Sequence, residues 1–256
     1  MEPDHVFISA AEWPDDIKGQ KWTNFNILHF TNYPVIDPNF EGSDIKTAVD
    51  NVTLAFNECH DTLSKPIDDL TVIPKSICMR LMIHLLGDIH QPLHTATLFS
   101  KEFPSGDMGG NLFKVIFPAS TSMNELHAFW DSTAKKYSGS IKVPLTDNHY
   151  DQLQEIAFNI TGKWNRANLS EELKKKTFNE WTAESGKLAY EVAYDKLKLQ
   201  SGTKLTLEYQ QMAQDLIDKQ LVLGGLRLAD TLSLVLSSEP SPIIEDMLKH
   251  LLRNMN

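Results

Sequence analysis

The chain has 256 residues, of which 34 are acidic and 24 basic, so its formal net charge is −10. A chain of this length can form one large domain with a substantial core. The negative charge argues against binding of nucleic acid through a basic surface, which needs Lys and Arg to displace counterions, but not against a nucleic acid held by metal ions in a cleft.

The first half of the chain contains two helical segments after a loop-rich start. Four prolines in the first forty residues would break any long helix: Pro3, Pro14, Pro34 and Pro38. An amphipathic helix is predicted from Ile45 to about Leu63. A second helix is predicted from Lys75 to His90, and it is apolar on nearly every side, which is typical of a helix buried in a core. Residues 95–124 read as loop with a short hairpin at 112–117.

Helical spacing continues through the second half. The predicted segments are 121–134, 150–164, 178–199 and a final helix from 205 to about 236. Two glycines inside the last helix cost about 1 kcal/mol each, which indicates close packing there. Strand signals are few, so we expect a mainly α, single-domain helical bundle over residues 1–236 with little β. Residues 237–256 are predicted to form an amphipathic tail.

Two His/Asp pairs with a spacing of four residues lie in this helical background. His84 and Asp88 share one face of the buried helix, and His127 and Asp131 repeat the arrangement among large apolar residues. A single pair could bond to itself or to the backbone, but two buried pairs are hard to explain by packing. Oxygen and imidazole donors without nearby Cys favour zinc in an open, catalytic site.

The spacing His84-x3-Asp88-x5-His94 with His127-x3-Asp131 resembles the zinc-dependent class I nucleases, the fungal and plant single-strand nucleases with 3′-nucleotidase activity. Further segments from about Ser9 to residue 236 carry the likeness in the same order: AAEWPDD, LHF, GDIHQPLH, GGN, NELHAFWD and GGLRLA. The resemblance implies a phospholipase C/nuclease-like helical fold with three zinc ions at the floor of a cleft. It also implies hydrolysis of P–O3′ bonds to give 5′-phosphorylated products.

The resemblance assigns seven metal ligands in two sets. The set for the first zinc ion is Asp15, His29, His84 and Asp88. The set for the second, with an open position for substrate, is His94, His127 and Asp131. Asp88 would also bridge to a third zinc ion.

Substrate contacts follow from the same resemblance. Phe30 would stack on a base, which suits a broad specificity because stacking has little base preference. Gly109 and Asn111 of the GGN segment would meet the edge of the base. Asn32 stands where the family commonly has Asp, so recognition of guanine is not implied.

The predicted catalytic residues are Asp15, Asp88 and Lys18. Lys18 either neutralises a phosphate or is an ordinary solvated lysine. Asp16 reads as a surface acid, although a shift of one residue would exchange it with Asp15. His90 falls off the face shared by the ligands, so we interpret it as a packing residue.

The start of the chain departs from the family pattern. Members begin with a Trp and a nearby His that complete the third zinc site, whereas the first Trp here is Trp13. We expect an incomplete chain, and a shortened relative with a weakened site is the alternative. Because this Trp and His are missing, we expect the 256-residue chain to hold the third zinc ion poorly and to turn over slowly.

The compartment and the cysteines allow weaker expectations. No signal peptide or transmembrane segment is evident, yet the family and the sequons at Asn51, Asn159 and Asn168 imply a secreted or vacuolar/lysosomal glycoprotein. Cys59 and Cys78 are too few for a disulfide framework, although one bridge between them stays open.

The expected substrates are single-stranded DNA, RNA and 3′-nucleotides, with DNA catabolism as the process and no obligate protein partner. Two other functions stay open. One is a zinc phospholipase C-type phosphodiesterase, although Phe30 and GGN favour the nuclease. The other is a non-catalytic protein in which metals merely stabilise a helical domain.

Overall fold

The computed structural model describes residues 5–42, 45, 51–66, 70–137, 145–198 and 200–237. These residues are mostly helical, which confirms the predicted mainly α fold class. The helices are α1 Val6–Gly19, α2 Asn51–Leu63, α3 Val72–Asp88, α4 Leu126–Asp131, α5 Asp147–Lys163, α6 Phe178–Leu188 and α7 Leu207–Ser237. Short 3-10 turns at Thr23–Leu28 and Pro92–His94 follow α1 and α3, respectively.

Short strands in the described residues form two small sheets. The strands are β1 Tyr33–Ile36, β2 Ala96–Phe99, β3 Lys114–Ile116, β4 Met123–Glu125 and β5 Thr203–Lys204. β1 pairs in parallel with β2, with Tyr33 opposite Ala96. β3 pairs antiparallel with β4 and parallel with β5. The hairpin predicted at residues 112–117 extends further than expected, because only β3 lies in that range and its partner β4 lies at Met123–Glu125.

Two large apolar clusters form most of the core of the described residues, and α7 contributes side chains to both. One cluster surrounds β2, β3 and α4 and includes Phe113, Phe129, Trp130 and Tyr194. The other joins α2, α3 and the later part of α7 and includes Phe56, Met82, Leu86 and Trp181. Burial of each such side chain contributes roughly 1.5–3 kcal/mol relative to exposure. The second cluster confirms that α3 is a core helix.

Helix α1 occupies residues for which the prolines had predicted a loop. Pro14 lies inside α1, where a proline removes one backbone hydrogen bond and displaces the carbonyl of the preceding turn. Packing of α1 against α3 stabilises the helix in spite of this cost. The prediction that proline excludes a helix from this segment was therefore wrong, and Pro3 lies outside the described residues.

The helix predicted at residues 121–134 is shorter than expected. Its first part is strand β4, and α4 has only six residues and ends at Asp131. The backbone at Thr133–Lys135 then has φ values of 53°, 48° and 65°, which a right-handed helix cannot accommodate. Gln210 and Gln214 of α7 both donate to the carbonyl of Ala134 at 2.9 Å and fix this turn.

Other predicted boundaries shift by a few residues. The segment predicted as a helix from residue 178 changes to a π-helical turn at Ala189–Tyr194, and residue 199 lies outside the described residues. The start predicted at Ile45 falls before residues 46–50, which are also outside the described ranges. The division at residue 236 stays a prediction, because residues 238–256 are not described. Within the described ranges, every helix falls short of the length or hydrophobicity that a bilayer span requires.

Candidate metal centre

The carboxyl end of α3 carries the first group of candidate ligands. His84 and Asp88 lie one turn apart on the same face, with His84 Nε2 and Asp88 Oδ2 separated by 3.0 Å. His29, which follows the 3-10 turn Thr23–Leu28, places Nδ1 3.0 Å from the same oxygen and 2.9 Å from His84 Nε2. Asp15 of α1 completes the group, with Oδ1 3.8 Å from His29 Nδ1. Four donors from three elements therefore converge on one point.

The second group is formed by the 3-10 turn after Pro92 and by α4. His94 Nε2 lies 3.3 Å from Asp131 Oδ1, and His127 Nε2 lies 3.1 Å from Asp131 Oδ2. The rings of His94 and His127 are stacked, with centroids 4.9 Å apart. The spacing of four residues thus brings His127 and Asp131 together as predicted.

Asp88 lies between the two groups and contacts both of them. Its Oδ2 faces His29 and His84, and its Oδ1 is 3.3 Å from His94 Nδ1. Only 12 % of this side chain is exposed, so its carboxylate needs the compensating charges and donors that these imidazoles provide. The two groups are therefore adjoining parts of one site.

The separations within each group suit a tetrahedral metal ion. Zinc binds nitrogen and oxygen at about 2.0–2.2 Å, so neighbouring donors in a tetrahedron lie roughly 3.3–3.6 Å apart. The measured separations run from 2.9 Å between His84 and His29 to 3.8 Å between His29 and Asp15. The ligand atoms of Asp15, His29 and His84 all lie within 4.8 Å of one another, and so do those of His94, His127 and Asp131. The residues present therefore fit a bound cation.

Backbone carbonyls fix the orientation of two of the imidazoles. His84 Nδ1 lies 2.5 Å from the carbonyl of Ala11, and His127 Nδ1 lies 2.7 Å from that of Gly109. A ring nitrogen facing a carbonyl must donate, which leaves Nε2 with its lone pair free for a metal. In addition, Gln91 donates from Nε2 to Asp131 Oδ1 at 2.7 Å.

Sequence reasoning assigned no role to Ala11 or Gln91. Gln91 lies within the quoted GDIHQPLH segment, so its position beside the ligands was a usable signal. Ala11 contributes a backbone carbonyl, and because every residue has one, nothing in the amino-acid sequence marks Ala11 for this contact. The turn of α1 that precedes Pro14 contains this carbonyl, so the proline lies close to a functional contact.

The electrostatics of the centre are those of carboxylates surrounded by imidazoles. Burial opposes the ionisation of Asp88, but the charge of His94 and hydrogen bonds from His29, His84 and His94 outweigh it and hold the pKa of Asp88 well below its usual range. Burial likewise opposes the charge of His94, yet Asp88 and Asp131 raise its pKa to about 10. Binding of a metal ion would therefore displace protons from the imidazoles.

Lys18 lies at the rim of the centre. Its Nζ is 2.5 Å from Asp15 Oδ1, and both side chains are about two-fifths exposed, at 39 % and 43 %. Asp15, and not Asp16, is the acid that lies with His29 and His84.

His90 is buried away from both groups and accepts a hydrogen bond from Arg227, in agreement with a packing role.

The predicted substrate contacts belong to two segments that are attached to the ligands through the backbone. Phe30, 38 % exposed, and Asn32 flank Thr31, whose N–H donates to the carbonyl of His94 at 3.0 Å. Gly109 and Asn111 belong to a loop whose Gly110 carbonyl accepts from His127 N–H at 3.2 Å. Each segment therefore adjoins one or more of the candidate ligands.

The fold and the site together define a helical protein whose His and Asp side chains form two adjoining groups of metal-type ligands. A family model described as S1/P1 Nuclease matches residues 2–237, and the chain belongs to this family. The prediction of a nuclease, a hydrolase that acts on phosphodiester bonds, is thereby confirmed.

Individual relatives agree with this assignment. Endonuclease 4 of Arabidopsis thaliana is 30% identical over 249 residues, which cover 91% of this chain and 78% of the relative. Endonuclease 5 of the same plant is 30% identical over 244 residues, with 90% and 78% covered. Nuclease S1 of Aspergillus oryzae is 27% identical over 169 residues, with 64% and 55% covered.

Proposed function

We propose that the chain is a zinc-dependent endonuclease and 3′-nucleotidase that hydrolyses P–O3′ bonds of single-stranded DNA and RNA and leaves 5′-phosphorylated products. The observation that carries the proposal is the convergence of seven imidazole and carboxylate side chains into two groups joined by Asp88. Because the chain belongs to a nuclease family, the bond on which these two groups act is expected to be a phosphodiester.

Zinc is the cation that the donor set favours. Both groups combine imidazole nitrogen with carboxylate oxygen, the ligands of open, catalytic zinc sites. Asp15, His29, His84 and Asp88 would hold one ion, and the group on His94 and α4 would hold another with an open position. Zinc bound there would lower the pKa of a water molecule towards about 7 and stabilise negative charge on a departing oxygen. Two tightly held zinc ions per chain are therefore expected.

The residues around the two groups would bind the substrate. Lys18 Nζ, at the rim beside Asp15, can meet a phosphate oxygen. The partly exposed ring of Phe30 offers a face on which a base can stack, and stacking tolerates every base. Asn111 donates from Nδ2 to the carbonyl of Met108 at 2.8 Å, which leaves its Oδ1 to accept from a base edge. Single strands suit such contacts because their bases are unpaired.

We also propose that the protein works in a secretory compartment or outside the cell. The sequons support this, and Asn159 is exposed on α5. Asn168 is exposed too, but its Nδ2 donates to the carbonyl of Lys163 at 2.7 Å. Mass spectrometry of the protein purified from a secreting eukaryotic host should therefore find a glycan on Asn159 in preference to Asn168.

The function is tested by His84→Ala. Zinc-supplemented wild-type protein should cleave a labelled single-stranded oligonucleotide and spare a matched duplex, and mass spectrometry should find 5′-phosphate ends. Loss of a ligand should reduce cleavage by more than about 100-fold, since even outer-shell changes cost 10–100-fold. Elemental analysis should show one zinc ion fewer in the variant.

His60→Ala is the matched control, because His60 lies on α2 next to Asp61 and outside both groups. It should keep full activity and zinc content. Unchanged cleavage by His84→Ala would mean that the wrong site has been assigned. Hydrolysis of phosphatidylcholine without DNA cleavage would identify a phospholipase, and zinc-dependent stability without any hydrolysis would identify a non-catalytic protein.

A further inference from the structure

Asp107 is a fully buried carboxylate that belongs to neither ligand group. It lies in the segment Gly106–Leu112, defined here as the 106–112 loop, which connects β2 to β3 through the GGN sequence. Four residues of this loop have positive φ, including the non-glycine Met108 at 58°. A backbone with so many left-handed residues is not favoured by local energetics and needs external contacts to fix it.

The side chain of Asp107 provides those contacts. Its Oδ1 accepts from the N–H of Leu98 at 2.8 Å and from the hydroxyl of Thr97 at 3.2 Å. Its Oδ2 accepts from the hydroxyl of Tyr194 at 2.8 Å. One carboxylate thus ties the loop to β2 and to the π-helical turn after α6. Hydrogen bonds in a dry interior are stronger than the same bonds in water, so this attachment is rigid.

The far side of the 106–112 loop contacts a candidate metal ligand. The carbonyl of Gly109 accepts from His127 Nδ1 at 2.7 Å, and His127 Nε2 then faces Asp131 Oδ2 at 3.1 Å. The loop is pressed against the 3-10 turn that carries His94, because a Cβ on Gly109 would lie 2.5 Å from the carbonyl of Leu93. A displacement of the loop would therefore rotate His127 and withdraw its nitrogen from the second group.

We infer that Asp107 is a positioning residue, which holds the 106–112 loop so that the Gly109 carbonyl orients His127 towards a metal ion in the second group. Asp107 acts through the loop and touches neither the ion nor the substrate. The inference rests on the proposed function, since it takes His127 as a metal ligand. Within the described residues, the first group (Asp15, His29, His84 and Asp88) forms no hydrogen bond with the 106–112 loop, so its zinc affinity serves as an internal reference.

The test is Asp107→Asn in the full chain, with zinc affinity measured by competition with a chromophoric chelator and with the visible spectrum of the Co²⁺-substituted protein. Asparagine keeps the size of the side chain but replaces one acceptor by a donor. We expect one of two zinc affinities to fall by about 10-fold or more, as for other changes to the support of a metal-bound histidine. The other affinity should fall by a much smaller factor, through the shared Asp88, and the Co²⁺ spectrum should change chiefly for one ion.

Asp218→Asn is the matched control. Asp218 is another buried carboxylate with two side-chain partners, Lys136 and Tyr137, and it bonds to neither the loop nor the ligands. Its substitution should lower stability without changing the ratio of the two zinc affinities. Equal effects of the two variants on that ratio, or wild-type affinities in Asp107→Asn, would overturn the inference.

Tyr194→Phe covers the case in which Asp107→Asn does not fold. This substitution removes the one hydroxyl that donates to Asp107 Oδ2 and should weaken the same zinc affinity to a smaller extent. An unchanged affinity would overturn the inference. Failure of the proposed function has a different signature. The wild-type chain itself would then bind fewer than two zinc ions or leave single-stranded DNA uncut, before any substitution is made.

Discussion

The guanidinium of Arg227 is buried in the middle of the molecule, where it bonds to three segments. Nη1 donates to His90 Nε2 at 2.9 Å. Nη2 donates to Glu184 Oε2 at 2.6 Å and to the carbonyl of Glu172 at 3.0 Å. The group also lies over the ring of Trp181, 5.2 Å from its centroid. The invariant charge of arginine is thus matched by one carboxylate and by polar acceptors.

Replacement of Arg227 by Met should lower the free energy of unfolding by about 1.5–3 kcal/mol, because the mostly buried Glu184 loses one of its two charged partners and keeps Lys175 at 2.6 Å. Equilibrium unfolding in urea measures the change. Arg166→Met is the control, since Arg166 pairs with Asp230 at the surface, where both side chains are about half exposed, at 53 % and 42 %. A surface pair contributes about 1 kcal/mol or less. Equal losses in the two variants would show that burial is not the cause.

At this scale, local spacing predicted some contacts of the candidate site and could not predict others. The two His/Asp pairs meet because residues four apart share a helix face, which is a property of the segment itself. His29 is far from them in sequence, and only the family resemblance indicated it. The carbonyls of Ala11 and Gly109 depend on how separate segments pack, so no pattern of side chains could have identified them.

The two adjacent glycines of α7 show how one helix combines different packing requirements. A Cβ on Gly224 would lie 3.2 Å from Cγ of the His90 ring, which is closer than ordinary contact. A Cβ on Gly225 would meet nothing within 4 Å. The sequence predicted close packing for the pair, and the structure assigns it to Gly224 alone.

The substitutions Gly224→Ala and Gly225→Ala should therefore have opposite effects on stability. Gly225→Ala should raise the free energy of unfolding by about 1 kcal/mol, because alanine favours the helix and has free space. Gly224→Ala should lower it, since the ring of His90 must shift to admit the methyl group. Thermal and urea unfolding compare the variants under identical conditions. A stabilisation of equal size in both would contradict the close approach to His90.

Helix positions were predictable where an apolar periodicity ran without interruption, as in α3 and α7. Prediction failed for α1, where the gain from packing on α3 outweighs the cost of Pro14. It also failed at residues 121–134, where pairing of β4 with β3 and the left-handed turn Thr133–Lys135 override a helical pattern. In both places tertiary contacts decided the outcome, and these are not encoded in any single segment.

The molecule as a whole carries a formal charge of −10 and belongs to a family that acts on a polyanion. Its surface therefore repels nucleic acid at long range, and the attraction must come from local positive charge at the candidate metal centre. Bound cations at the two ligand groups would supply that charge and reverse the local field. The same ions would relieve the repulsion among the carboxylates of the centre.

Metal removal should consequently lower the stability of the whole protein. Zinc that binds the folded chain alone adds about 2.7 kcal/mol per site when free zinc is 100-fold above its Kd. The melting temperature should fall after treatment with a chelator and recover when zinc is returned. Magnesium, which prefers oxygen ligands and octahedral geometry, should restore little of it. Full recovery with magnesium would contradict a nitrogen-rich zinc centre.

The two ligand groups share the single negative charge of the Asp88 carboxylate, which directs one oxygen to each group. A cation that arrives on one side draws electron density from the carboxylate and leaves less for an ion on the other side. The two sites would therefore fill in sequence, with unequal strength. A substitution that changes the metal preference of one site should therefore also change the metal affinity of the other.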